Sequence, residues 1–201
     1  QKAPVDAHHD AALDRLIEIV LASGPVESLT DKYFTNTRKI VEANSDVEVT
    51  YAIFLRRRSI AALEPVIRLI SRLVPEADIK RFYQEGEIVP SERKLLEVSG
   101  PMSKLSEVET LMLQKTGFPC VSANNAYEMC RAVPSASFLD MHARHGSGAE
   151  MNILAAYGAS VGSTAAKVKD PAIKGFVGSS QDITSPLFGA PRGLGTMPHA
   201  L

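Results

Sequence analysis

Residues 175–199 read GFVGSSQDITSPLFGAPRGLGTMPH. Two short apolar or β-branched runs, residues 173–177 and 193–196, each pass straight into small and polar residues, GSSQ after the first and TMPH after the second. Upstream, Phe138-Leu139-Asp140 passes into Met141-His142-Ala143-Arg144-His145-Gly146 in the same way. Three short strands that each release a polar loop, with helix-like segments between them, are the pattern of a parallel α/β barrel or open sheet whose strand C-terminal ends line a site. The chemistry is therefore expected where Arg144, Ser180 and His199 converge. Between the first two strands, Ser147-Gly148-Ala149-Glu150 has the form of a capping box that opens an apolar helix through Met151, Leu154 and Ala155. Residues 167–171 read as a polar connector, and Ser180 as the cap of a short helix before Gly189.

Toward the N-terminus, Leu13, Leu16, Ile17 and Val20 recur at helical spacing over residues 10–22, and Gly24-Pro25 ends the run. Thr30-Asp31 can cap a second helix, with Tyr33 in its first turn. Val47, Val49, Tyr51, Ile53 and Leu55 alternate with Glu48, Thr50, Ala52 and Phe54, the period-two mark of a strand. Arg56-Arg57-Arg58 follows, either a solvated strand end or a phosphate contact. The pattern predicts a helix over 59–74, kinked or begun at Pro65, a shorter helix over 76–85 stopped by Gly86, and a strand over 94–98. Ser103 and Ser122 read as caps of two further helices. Glu107 and Glu109 face no second carboxylate and are read as exposed or salt-bridged. The division expected is an N-terminal α/β domain over 1–134 and an incomplete barrel over 135–201.

Composition narrows the class. With 22 basic against 23 acidic residues, the 201-residue chain offers no bulk polyanion surface, so neither nucleic acid nor membrane is an expected partner. Cys120 and Cys130 are too few for a disulfide scaffold and lack metal-ligand spacing, which points to reduced, structural thiols and a cytoplasmic protein. The apolar piece at 16–22 is too short for a membrane span and lacks the flanks of a signal peptide. His8-His9 and the His142/His145 pair have no third ligand nearby, so no metal is assigned to them. The chain begins with Gln1 and stops soon after TMPH, before eight strands have accumulated. It is expected to be the N-terminal part of a longer protein, and inactive alone.

Gly175-Phe176, Gly178, Ser179-Ser180, Phe188-Gly189, Pro191, Gly195-Thr196 and His199, preceded by Asp140 and Arg144 and by Leu29-Thr30-Asp31-Lys32-Tyr33, together resemble the nicotinate phosphoribosyltransferase family. The similarity runs from Leu29 to Leu201. It implies a helix-rich α/β N-terminal domain followed by the first βα units of an irregular type II phosphoribosyltransferase barrel. The implied activity is synthesis of nicotinate mononucleotide from nicotinate and phosphoribosyl pyrophosphate, coupled to ATP, with Mg²⁺ as the metal. Homodimers with shared active sites are implied as well.

On that resemblance Tyr33 stacks on the pyridine ring from the neighbouring subunit, a role that an aromatic face suits. From the residues alone, Tyr33 is equally a packing residue, and Arg144 equally a partner of Asp140 or of a helix C-terminus. The resemblance gives Arg144 an anionic ligand, Asp140 an orienting role, and Ser179 and Ser180 the pyridine pocket, with Ser180 donating to the carboxylate. Thr196 contacts nicotinate, and His199 is phosphorylated by ATP. Met141 stands where the family has an aromatic residue, His142 for Gly, His145 for a second Arg, and Ala200 for Ser. Met141 weakens the ring sandwich, and His145 replaces the second Arg only when protonated. The alternatives are a related nicotinamide or quinolinate phosphoribosyltransferase, or a non-catalytic ligand-binding or oligomerisation module. A nicotinamide enzyme is expected to carry Asp where Ser180 stands.

Overall fold

The computed structural model describes residues 7–195, 197 and 198. Its elements in chain order are α1 (Ala7–Ala22), α2 (Val26–Leu29), α3 (Lys32–Ala43), β1 (Glu48–Phe54), β2 (Ser59–Ile60), α4 (Glu64–Leu73), β3 (Asp78–Arg81), β4 (Ile88–Val89), β5 (Lys94–Pro101), α5 (Met102–Ala132), β6 (Ser137–Asp140), α6 (Ala149–Lys169) and β7 (Gly175–Ser179), then a 3-10 turn at Ser185–Phe188. An antiparallel sheet has the order β1-β5-β3, β2 pairs antiparallel with β4, and β6 pairs parallel with β7. This is the mixed α/β class that the sequence predicts.

Several elements follow from pattern alone. Leu13, Leu16, Ile17 and Val20 share one face of α1 and are all buried. Alternation in β1 leaves Ile53 buried between exposed Ala52 and Phe54. Tyr33 lies in the first turn of α3, as predicted. Asp31 does not cap that helix with its side chain. The Thr110 hydroxyl donates to it instead at 3.3 Å and ties the helix start to α5.

Several expectations are corrected. Over 59–74 the first two residues form β2, and the helix starts only at Glu64, with Pro65 in the first turn where a missing N–H costs nothing. The stretch 76–85 is not a helix: Asp78 and Lys80 point outward, Ile79 and Arg81 inward, and the free edge of β5 takes them up as β3. The two helices expected from Ser103 and Ser122 are one, α5, which runs through Pro119. Ser103 sits in its first turn, and the Asp46 carboxylate accepts from both its N–H and its hydroxyl, which holds that carboxyl below the ordinary range. Residues 193–195 form no strand. Finally, Ser147 makes no cap, because Gly148 occupies that position with φ +95°, and α6 continues to Lys169 rather than giving way to a connector at 167.

Close approach of α5 and α6 overrides the break expected before Ser122. A Cβ on Gly158 would lie 2.3 Å from the Pro119 carbonyl oxygen, and one on Gly162 only 2.0 Å from that of Ala123. Only bare backbone fits at this crossing. Across it the Ser122 hydroxyl donates to the Ala155 carbonyl at 2.7 Å. Residues 152–163 of α6 are buried all round. One hydrophobic cluster joins α1, α4, α5 and α6 to Ile173 and Leu187. Cys120 and Cys130 are free and buried in it, and burial pushes the Cys120 thiol up to about 12. No helix among the described residues is long and apolar enough to cross a membrane.

A buried polar knot sits beside this core. Glu85 accepts from the Leu63 N–H (2.6 Å), the Arg81 guanidinium (2.6 Å) and the Tyr157 hydroxyl (2.7 Å). Burial outweighs these donors and pushes the Glu85 carboxyl from 4.5 up to about 7.

A carboxyl with a raised folded pKa favours folding when protonated, so stability falls as pH rises from about 4.5 to 7, by about 3 kcal/mol in all. Urea unfolding should show wild type losing ground to Glu85→Gln between pH 5 and pH 8; a constant difference would refute the assignment. At the helix crossing, Gly162→Ala should cost about 3 kcal/mol in the same measurement, since backbone must move to admit one methyl group.

Candidate functional site

The β6-α6-β7 unit brings two loops to one end of a parallel pair. Its register sets Ser137 opposite Gly175, Phe138 opposite Phe176, Leu139 opposite Gly178 and Asp140 opposite Ser179, with an irregularity after Phe138. The Ser180 N–H extends the ladder to the Asp140 carbonyl at 2.9 Å. Stacked rings of Phe138, Phe176 and Phe188 hold the strands to the 3-10 turn, with centroids 5.4 and 5.6 Å apart.

Ser179 is the hub of this end. It is 1% exposed, its hydroxyl bonds Asp140 Oδ2 (3.2 Å) and Thr184 Oγ1 (2.7 Å), and its carbonyl accepts from the Leu194 N–H at 2.8 Å. Asp140 uses its other oxygen on the His142 N–H at 2.9 Å. Both side chains therefore shape the loops. Asp182 fixes the 190s segment by accepting from the Gly193 N–H at 2.7 Å.

What remains free at this end has cationic or hydroxyl character. Arg144 and His145 are exposed, and Arg144 forms no ion pair among the described residues, not even with nearby Asp140. Ser180 is half-buried, and its hydroxyl is unused among the described residues. Tyr33 is 60% exposed, lies against Phe34 with ring centroids 4.0 Å apart, and makes no hydrogen bond or ring contact with Arg144 or Ser180. Thr196, His199 and Ala200 lie outside the described residues. Met141 is half exposed. No group of three or more His, Cys, Asp or Glu among the described residues could hold a metal, so no side chain here is assigned to Mg²⁺.

Beside the site, a cavity of about 280 Å³ opens between α5, α6 and β7, walled by Phe118, Met129 and Phe176 with Asp140 and His142 at one corner. Three further residues matter that pattern reading passed over. Lys115 is 1% exposed and pairs with Glu150, in the first turn of α6. Its position is legible in retrospect, because it falls in phase with the buried Leu111, Met112 and Pro119 of α5. Asn152 is 3% exposed and donates from Nδ2 to the Ala143 carbonyl and to Gln181 Oε1, both at 3.2 Å. Thr184 buries its hydroxyl against Ser179. Elsewhere, Glu107 bonds Arg38 at 2.7 Å, as its sequence context suggests.

This architecture is the type II phosphoribosyltransferase fold. The chain superposes on nicotinate-nucleotide pyrophosphorylase from Pyrococcus furiosus with a TM-score of 0.66 at 20% identity, covering 100% of this chain and 46% of that one. Human nicotinic acid phosphoribosyltransferase gives 0.63 at 19% identity over 85% of this chain and 39% of its own. The nicotinate-nucleotide pyrophosphorylase from Francisella tularensis gives 0.54 at 17% over 81% and 55%. The chain thus spans about half, or less, of each of these proteins. No protein-family model matches it, and no curated protein matches it significantly.

Lys115 gives this site a stability test. Glu150→Gln strands a buried ammonium and should cost about 3 kcal/mol in urea unfolding, whereas adding Lys115→Met should recover most of the loss. A single variant as stable as wild type would show that the pair does not anchor the start of α6.

Proposed function

We propose that this chain carries part of the active site of a phosphoribosyltransferase that joins a pyridine carboxylic acid to phosphoribosyl pyrophosphate, in NAD synthesis. The reading rests on the placement, in this fold, of Arg144, unpaired among the described residues, in the loop after β6 and of Ser180 directly after β7, at the C-terminal ends of two parallel strands.

The chemistry asks for little covalent work from the protein. The pyridine nitrogen forms a bond to the anomeric carbon as the carbon–oxygen bond to pyrophosphate breaks, and the leaving group departs with the electron pair. The transition state is cation-like, so catalysis consists of orienting a flat acid, neutralising the diphosphate and excluding water. In this reading Arg144 meets the anionic groups, Ser180 donates to the ring carboxylate, and Asp140 and Ser179 keep both loops in place. His145 adds a second cation when protonated. Tyr33 supplies an aromatic face from a second subunit of a homodimer, on the resemblance. Mg²⁺ would accompany the diphosphate.

Nicotinate is the preferred acid, on the resemblance that assigns Thr196 to the ring and His199 to phosphorylation by ATP. An imidazole nitrogen attacks the γ-phosphorus, ADP leaves, and the resulting phosphohistidine couples hydrolysis to nucleotide synthesis. A quinolinate enzyme is the second reading, favoured by the likeness to two proteins titled nicotinate-nucleotide pyrophosphorylase. The buried free thiols Cys120 and Cys130 support a cytoplasmic site of action.

Calorimetric titration of the purified chain with phosphoribosyl pyrophosphate, nicotinate and quinolinate separates these readings. Arg144→Ala should weaken anion binding at least tenfold, in keeping with about 1.5–3 kcal/mol for a charged hydrogen bond. Acid-labile phosphate formed from ATP and lost in His199→Asn marks the nicotinate enzyme; quinolinate binding without phosphorylation marks the other. A folded chain that binds none of the three compounds sinks the proposal.

A further inference from the structure

Asn152 holds two loops at once. Its Nδ2 group donates to the Ala143 carbonyl, next to Arg144 in the loop after β6, and to Gln181 Oε1 in the loop after β7, each at 3.2 Å. Its own Oδ1 is buried and has no donor among the described residues. The amide cannot be turned round, because a backbone carbonyl only accepts and would then face Oδ1. With Nδ2 fixed as donor, the Gln181 atom that meets it must be its carbonyl oxygen. Gln181 Nε2, which has no hydrogen bond among the described residues, is left with two N–H groups and no acceptor beside them.

Resting on the pyridine-acid reading above, we infer that Asn152 is a positioning residue that locks Gln181 with its donors outward, and that Gln181 thereby selects a ring carboxylate over a ring carboxamide. A carboxylate is acceptor-only and suits a donor-only partner. A carboxamide would gain one bond through its oxygen and set its own NH₂ against the remaining N–H. Gln181 directly follows Ser180 and shares its end of the sheet with Arg144. Asn152 also leaves its buried acceptor unsatisfied, which costs stability. The two bonds that it donates join the loops carrying Arg144 and Ser180, so the geometry points to a role in setting those loops.

The test compares the binding of nicotinate and nicotinamide to the purified chain by calorimetry, with melting temperature measured in parallel. Wild type should prefer nicotinate by at least tenfold. Gln181→Glu keeps the acceptor for Asn152 and replaces the donors by a charged oxygen, so the preference should vanish or invert. Asn152→Asp, which cannot donate, should turn the Gln181 amide round with the same result. Asn152→Leu removes the donor that holds Gln181 and should lose the preference, while the melting temperature reads separately what the lost bonds to Ala143 and Gln181 cost in stability. Nicotinate binding with an unchanged ratio in all three variants overturns this inference alone. A folded wild type that binds neither compound overturns it together with the reading it rests on.

Discussion

The crossing of α5 over α6 at bare backbone is the constraint on which the rest depends. Gly158 and Gly162 let the two helices meet where any side chain would collide with the carbonyl oxygens of Pro119 and Ala123. Because that contact is made along the middle of α6, the start of the helix is fixed as well, and with it Glu150 beside Lys115 and Asn152 beneath the loop that carries Arg144. The position of the candidate site is thus set by packing some distance from it, among residues that never meet a ligand.

At the site the work is divided between buried and free groups. Asp140, Ser179 and Thr184 satisfy one another and the backbone of both loops, a closed network whose members are held rigid by their mutual bonds. Arg144 and the Ser180 hydroxyl have no such obligations. A network that satisfies itself can hold neighbouring groups open at low reorganisation cost, which is what electrostatic stabilisation of a developing charge requires.

Much of this was legible in the chain. The β6-loop-α6-β7 order was visible because Phe138-Leu139-Asp140 and Phe176-Val177 each run into a polar loop, and α1 and β1 because their apolar periods are long and clean. The misses share a cause. Over 76–85 the composition suits a helix, but an open edge on β5 decides otherwise, and no local reading contains that edge. Ser122 reads as a helix start, but its hydroxyl is taken by the Ala155 carbonyl of α6 within one continuous helix. At Ser103 and Ser147 the capping residue types are present, yet Asp46 takes over the first role and Gly148 the second. Lys115, Asn152 and Gln181 were passed over because each acquires meaning only through a partner distant in sequence.

A helix sheathed on all sides and built largely of Ala, Gly and Ser has little freedom to vary. Almost any enlargement between Asn152 and Ser163 would be felt through the whole interior, so diversification in such a scaffold is pushed outward, into the segments its two ends support. Those are the stretches around Arg144 and around Ser180. Chemical novelty in chains of this shape should therefore accumulate in a few exposed loop positions while the rod behind them stays nearly silent.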